Sequence, residues 1–389
     1  MLAALPHDEV HGVSVKAETT FSLKDDLFNR DTVAQLSAAL AAAHAPFDGR
    51  GFQREVLKAF PDLELKARID CLVETSRRYL PDELSAARRI WQAALPPPLN
   101  PKLTDDDFGH FIWVVPGEFM ARYGCNAEHL DASLEFLRES TQRFSAESAI
   151  RPFLAQFPDA TLAFVQRCAS DPNYHVRRLA SEGIRPFLPW ASRVVLPTAQ
   201  IIDVLDTLHA DPTRYVTRSV ANNLNDLSRL DADAVIAALQ RWEAQGRQNA
   251  GELAWMIRHA LRTLLTADDP RALALLGYPL DPAFRLTGLQ VSESVPVGGK
   301  LAWRGTLRSG KRQRLKIALN LGFLKANGQH SGKIFKVKDV QLDAGEQLAI
   351  DKAITLRPMT TRVLYPGEHW VELVVNGVTR GRRAFDLRL

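Results

Sequence analysis

Two spacings of apolar positions divide the chain. From residue 22 to about 278 they recur at three and four, as in Val33, Leu36 and Leu40 or Leu72, Ser76, Tyr79 and Leu80. That spacing predicts amphipathic helices, one after another. The helices are interrupted where loop chemistry appears, at PFDGRG (46–51), LPPPLNPKL (95–103) and Leu188-Pro189-Trp190. Beyond Leu280-Asp281-Pro282 the pattern changes to short runs with partial alternation, LKIALNLGFL, KIFKVKDVQL and HWVELVV. NGQHSG, DAG, YPG and NGVTRG punctuate them.

About seven short strands in roughly a hundred residues predict an antiparallel sandwich of immunoglobulin-like type. It contains no cysteine, so it must rest on its apolar core. The expected organisation is an N-terminal helical segment (1–95), a HEAT-like helical-repeat body (96–280) and a small all-β sandwich (283–389). The tripled proline at 96–98 serves as a stiff joint.

The helical body repeats. DPNYHVRRLASEGIRP (171–186) aligns with DPTRYVTRSVANNLND (211–226), so Asp171 and Asp211, Val176 and Val216, and Arg178 and Arg218 each lie forty apart. Arg258 lies forty further on, and Ile184, Leu224 and Leu264 keep the same step. An earlier copy, Ile150-Arg151-Pro152-Phe153-Leu154, is offset by 34 from Ile184-Arg185-Pro186-Phe187-Leu188. A helix-turn-helix period of about forty residues is that of HEAT-type solenoids, which stack and curve around a groove lined by one helix per repeat. Val176, Leu179, Ala180, Gly183, Ile184 and Phe187 form one core stripe. The opposite side carries Arg177, Arg178, Glu182 and Arg185, then Arg218, Asn222, Asn225 and Asp226, then Arg258 and Arg262. Stacked arginines make a row of forked cations suited to phosphate. The plainer reading pairs each of them with the Asp of a neighbouring turn.

Charge sharpens this picture. Residues 283–389 hold 19 Lys and Arg against 8 Asp and Glu, a net +11, while the remainder holds 30 against 37, a net −7. A small domain so basic reads as a polyanion-binding surface. Within it Lys311-Arg312-Gln313-Arg314-Leu315-Lys316 and Arg380-Gly381-Arg382-Arg383 are the expected phosphate contacts, against a reading as charged strand edges. Apolar residues make up 46% of the chain and charged ones 24%, which argues against extensive disorder. No run of eighteen apolar residues exists, and the start, MLAALPHDEVHG, has no leader-like pattern. Cys71, Cys125 and Cys168 form no disulfide framework, so a reducing cytosol is expected.

Five segments together resemble a known family. They are Leu23-Lys24-Asp25-Asp26-Leu27-Phe28-Asn29, Arg143-Phe144-Ser145-Ala146-Glu147-Ser148-Ala149-Ile150-Arg151-Pro152-Phe153, HVRRLASEGIRPFLPW (175–190), VTRSVANNLNDLSR (216–229), and RHALRTLL with ALALLGY (258–278). The chain resembles, nearly end to end, the AlkC branch of the AlkC/AlkD-like DNA glycosylases, some of which carry an immunoglobulin-like domain. The resemblance implies a monofunctional glycosylase acting on cationic N3-alkylated bases, 3-methyladenine and secondarily 3-methylcytosine, in double-stranded DNA. It further implies that the base is not flipped into a pocket.

The chemistry this asks of the residues is modest. A cationic base is a good leaving group and needs no general acid. A carboxylate beside C1′ stabilises the oxocarbenium-like sugar and orients water. No metal or redox cofactor is required, and a monomer suffices. Glu147 is the first candidate carboxylate, expected on one helical face between Arg143 and Arg151, against a reading as an i,i+4 salt-bridge ladder. Glu118 is the second, placed after the Pro116-Gly117 break where a helix restarts, against a reading as a first-turn glutamate. Asp171 is the third, against a reading as a helix cap. Trp113 and Trp190 are candidates for flat contact with sugar or base, and His175 and Asn222 for hydrogen bonds along the groove.

Ser309-Gly310-Lys311 is not a P-loop, Glu368-His369-Trp370 does not extend to HExxH, and no GxGxxG follows a strand. The competing reading is a non-catalytic HEAT scaffold that binds DNA or protein.

Overall fold

The computed structural model describes residues 22–103, 108–358 and 363–388. The start of the chain lies outside these. The described residues form two compact units, 22–100 with 108–156, and 101–103 with 157–388.

The first unit is helical: α1 (Leu23–Leu27), α2 (Arg30–Ala43), α3 (Gly49–Ala59), α4 (Leu65–Tyr79), α5 (Leu84–Ala94), α6 (Val114–Tyr123), α7 (Leu130–Ser140) and α8 (Arg151–Gln156). Its core takes the residues that the helical spacing selects, among them Val33, Leu36, Leu40, Leu72 and Leu80, all buried. Asn29 opens α2 with a capping box, its Oδ1 accepting from the Thr32 N–H while Thr32 Oγ1 accepts from the Asn29 N–H. The proline-rich 95–100 stretch holds no helix; it is pinned where the Leu99 N–H donates to the Gln142 carbonyl (2.9 Å).

The second unit begins with α9 (Pro158–Cys168), α10 (Tyr174–Glu182), α11 (Thr198–Leu208), α12 (Arg214–Leu227), α13 (Ala232–Gln245), α14 (Ala250–Ala260), α15 (Arg262–Thr266) and α16 (Pro270–Leu275). The forty-residue repeat appears as two layers. Helices α10, α12 and α14 stack in one, and α11, α13 and α16 in the other. The Asp-Pro turns are built alike. Asp171 Oδ1 accepts from the Asn173 N–H and Asp211 Oδ1 from the Thr213 N–H, both at 2.8 Å. In each case the carboxylate fixes the residue that opens the next helix.

The sandwich follows, with β1 (Phe284–Val291), β2 (Ser294–Pro296), β3 (Lys300–Ser309), β4 (Gln313–Leu324), β5 (His330–Leu342), β6 (Gln347–Thr355), β7 (Gly367–Val375) and β8 (Val378–Arg388). One sheet has the order β1-β3-β6 and the other β2-β8-β7-β4-β5. All pairings are antiparallel except β2 with β8. Alternate residues turn inward around Trp303, and Leu315, Ile317, Leu319, Leu321, Val371 and Leu373 fill the space between the sheets. Asn376-Gly377 closes the β7–β8 hairpin with both residues at positive φ, as a two-residue turn of this hand requires.

Several contacts fix the sandwich to the helical repeats. Arg314 lies over the Tyr278 ring (4.6 Å), Lys316 Nζ pairs with Asp268 (2.5 Å), and Asn376 Nδ2 donates to the Pro279 carbonyl (3.0 Å).

Candidate active site and nucleic-acid interface

The segment carrying Glu147 is not the helix its i,i+4 arginines predict. Residues 141–150 form successive turns between α7 and α8. Pro152 supplies the reason. It has no N–H to offer the Ser148 carbonyl, so a helix through 148–152 would lose that bond and clash with its ring. The turns are held by the Thr141 hydroxyl, which accepts from the Ala146 N–H, and by the Ile150 N–H, which donates to the Ala146 carbonyl (3.2 Å). Glu147 is half-buried, and its Oε2 accepts from Ser145 Oγ at 2.7 Å.

Arg143 does not flank it as expected. Its guanidinium is buried against the Pro96 carbonyl (2.8 Å), the Glu139 carbonyl (2.9 Å) and the Glu139 carboxylate. Arg151 is 1% exposed. Neither side chain is offered to DNA phosphate.

Glu118 lies in the middle of α6, not at a restart. Pro116 and Gly117 sit in the first turn, where a missing N–H costs nothing, so the helix runs through them. Gly117 brings α6 against the Glu147 turn: a Cβ there would stand 3.4 Å from Ala149 Cβ and 3.9 Å from Ala146 Cβ. The two candidate glutamates thus rise from adjoining segments of one unit. Burial is the main influence on the Glu118 carboxyl, and the Asp70 carboxylate adds to it. Together they outweigh Arg122 and Lys66 and push its pKa up to about 7. Arg122 is shared with Asp70 and Glu74 of α4.

Trp113 is 4% exposed and packs in the core, so it offers no surface to a sugar. Trp190 is the reverse, 76% exposed on a backbone at φ 62, a conformation a bulky residue rarely takes. Asp171 is buried at its turn, and His175 is buried beside Tyr174 (4.1 Å) and Tyr215 (5.3 Å).

The predicted arginine row divides in the folded chain. Arg178 is half-buried over the Tyr215 ring (4.6 Å) and 3.8 Å from Glu182. Arg185 is buried, donating to Glu182 and to Asp226 (3.0 Å). Glu182, expected on the solvent side, is 4% exposed. In a stacked array the face opposite the core stripe is covered by the next repeat, here α12. Burial alone would raise the Glu182 pKa, but Arg178 and Arg185 outweigh it and hold the carboxyl below its ordinary value. Arg218 and Arg262 are half-buried, and Arg258 turns to Asp339 of the sandwich (3.3 Å) and to the Tyr278 hydroxyl (3.4 Å).

In the sandwich, Arg314 is tied to Asp339 (3.3 Å) and the Leu276 carbonyl (3.2 Å), so it serves the contact with the helices and not phosphate. Lys311, Arg312, Arg382 and Arg383 are exposed. Arg312 lies 3.4 Å from Asp343. Arg382 is held by Glu372 (2.9 Å) and the Trp370 ring (4.1 Å).

The forty-residue step carries a further signal. His175, Tyr215 and Trp255 occupy one repeat position, and Arg214 lies over Trp255 at 4.0 Å. Tyr215 and Trp255 escape a reading that follows the arginines alone.

Comparison with known proteins places this architecture. A family model described as "Uncharacterised protein YhaZ, C-terminal Ig-like domain" matches residues 285–389. The "Uncharacterized protein YhaZ" of Bacillus subtilis (strain 168) is 28% identical over 367 residues, 93% of this chain and 98% of that protein. The solved structure of Pseudomonas fluorescens alkylpurine DNA glycosylase AlkC, bound to DNA containing an abasic site analog, is 30% identical with a TM-score of 0.79. It covers 95% of this chain and all of that one. The chain belongs to the AlkC family. The helical repeats followed by an immunoglobulin-like sandwich are the AlkC architecture, as the five sequence segments imply. Among the described residues of this AlkC-family chain, no helix is long and apolar enough to cross a membrane, and no group of three His, Cys, Asp or Glu could hold a metal ion.

Proposed function

We propose that this chain is a monofunctional DNA glycosylase. It hydrolyses the N-glycosidic bond of cationic N3-alkylated bases in duplex DNA, 3-methyladenine first and 3-methylcytosine second, and acts as a monomer in the cytosol. The observation that carries the reading is the likeness, over 95% of the chain, to a glycosylase solved on DNA.

The chemistry needs little from the protein. As the bond to C1′ breaks, its electron pair leaves with the base and cancels the base's charge. The sugar becomes oxocarbenium-like, and water adds to C1′ and gives up a proton. Glu147, the carboxylate oriented by Ser145, opposes the sugar's charge. Glu118, with a pKa of about 7, takes the proton from water. Asp171 keeps the role its turn gives it. Trp190 supplies exposed apolar surface for contact with DNA, and Arg218, Arg262, Lys311, Arg312, Arg382 and Arg383 meet phosphates.

The test is release of 3-methyladenine from methylated DNA by the purified chain; a chain that binds the duplex and releases nothing is a scaffold. A second expectation concerns pH. A base must be ionised, so a pKa raised to about 7 makes single-turnover release rise with pH up to about 7 and level off above it. Glu118→Gln removes that limb. A wild-type profile flat from acid to alkaline pH takes Glu118 out of the reaction.

A further inference from the structure

One repeat position runs Glu182, Asn222, Arg262, forty residues apart. The series ends in a cation that has no acid of its own. Arg262 NH1 donates to the His259 carbonyl (2.6 Å) and NH2 to Asn222 Oδ1 (3.2 Å), both neutral acceptors. No carboxylate of the described residues lies within ion-pair distance of it. Partial burial, with Arg185 and Arg229 nearby, outweighs the pull of Asp226 and lowers its pKa.

The turn that carries Arg262 is held from α12. Asn225 Oδ1 accepts from both the N–H (3.2 Å) and the hydroxyl (2.9 Å) of Thr263. One turn earlier on α12, Asn222 Oδ1 also receives His259 Nε2 at 2.8 Å. Arg262 can only donate, so this Asn222 atom is the acceptor, and His259 Nε2 carries its proton. The amide group of Asn222 is thereby fixed, its oxygen filled by two donors and its NH2 turned away from them. The His259 ring is held flat against Trp255, 4.9 Å away and tilted by 11°. Burial and the cations Arg262, Arg218, Arg185 and Arg214 bring its pKa down to about 4, so it stays neutral.

We infer that Arg262 and Asn222, held in place by His259, form a binding site for a single phosphate of a DNA backbone. The site offers the remaining guanidinium N–H groups and the amide NH2; the nearby Asp226 carboxylate is taken up by Arg185 (3.0 Å) and makes no ion pair with Arg262. His259 is a positioning residue, acting through Asn222. This rests on the DNA-binding part of the proposed function and adds His259 and Trp255 to it.

The experiment is equilibrium binding of the full chain to a short unmodified duplex over a series of salt concentrations. One lost phosphate contact removes about 0.9 from the slope of log affinity against log salt. Arg262→Gln should lose about one contact's worth of slope and about tenfold in affinity. Arg262→Lys, which keeps a point charge, should recover the slope and only part of the affinity. His259→Gln can still donate to Asn222 and should bind like wild type, whereas His259→Leu should bind more weakly. A merely structural histidine would lower the melting temperature and leave binding unchanged in the folded fraction. A wild type that binds DNA, with Arg262→Gln of identical slope and affinity, overturns the site alone. A wild type that does not bind DNA overturns the DNA-binding reading, and the site with it.

Discussion

Glu147→Gln binds duplex DNA as tightly as wild type and releases 3-methyladenine about 10²–10³-fold more slowly, the usual loss when one preorganised electrostatic group is removed. Glutamine keeps the shape of the side chain, and Ser145 Oγ can still donate to its oxygen, so the turn between α7 and α8 need not move. Only the charge is lost. A neutral amide takes no attraction away from the polyanionic duplex, but it does nothing for a sugar that turns positive as the base departs. The loss therefore falls on the chemical step and not on binding. Single-turnover release from methylated DNA, beside equilibrium binding of an unmodified duplex, measures both. Equal release by the variant and wild type removes Glu147 from the mechanism. The same pair of measurements on Glu118→Gln separates the two carboxylates, because only Glu118 is expected to set the pH profile.

Glu182→Gln destabilises the second unit by about 3–5 kcal/mol, the cost of breaking a buried ion cluster by removing one partner. Glu182 is 4% exposed, and its carboxylate receives Arg185 and the Ser219 hydroxyl, with Arg178 at 3.8 Å. An amide has one acceptor where the carboxylate has two. Its NH2 would therefore face either a guanidinium or a hydroxyl already held by Ser181 (2.9 Å). Arg185 would keep its pair with Asp226. The folded-state pKa of Glu182 lies below its ordinary value. Its contribution is therefore complete at neutral pH and is lost as pH falls through and below the usual carboxylate range. Urea unfolding should show a lower midpoint for the variant, and hydrogen exchange should quicken in α10 and α12. Unchanged exchange in both helices refutes the role given to this cluster.

The division of labour between sequence and tertiary structure can be read from particular residues. Apolar spacing is local and survives folding. It marks the buried face of each helix, the strands of the sandwich and the forty-residue step that becomes the stacking of α10, α12 and α14. The Asp-Pro turns and the Asn376-Gly377 hairpin are equally local, because each depends on one residue's backbone preference. The five long segments bring the AlkC family with them.

Charged side chains obey no such rule. Periodicity tells which side of a helix is polar, but whether that side meets solvent or the next repeat depends on what packs against it. Glu182 and Arg185 share a polar side and are buried by α12, while Arg262 at the corresponding face of a later repeat is left with neutral partners. Arg143 and Glu147 are four apart yet share no helical face, because the chain between α7 and α8 runs as successive turns held by Thr141 and Ala146. Sequence alone thus determined the architecture and the repeat. Tertiary packing decided which charges are spent on one another and which are left with neutral partners, since an ion pair needs a partner brought from a distant part of the chain.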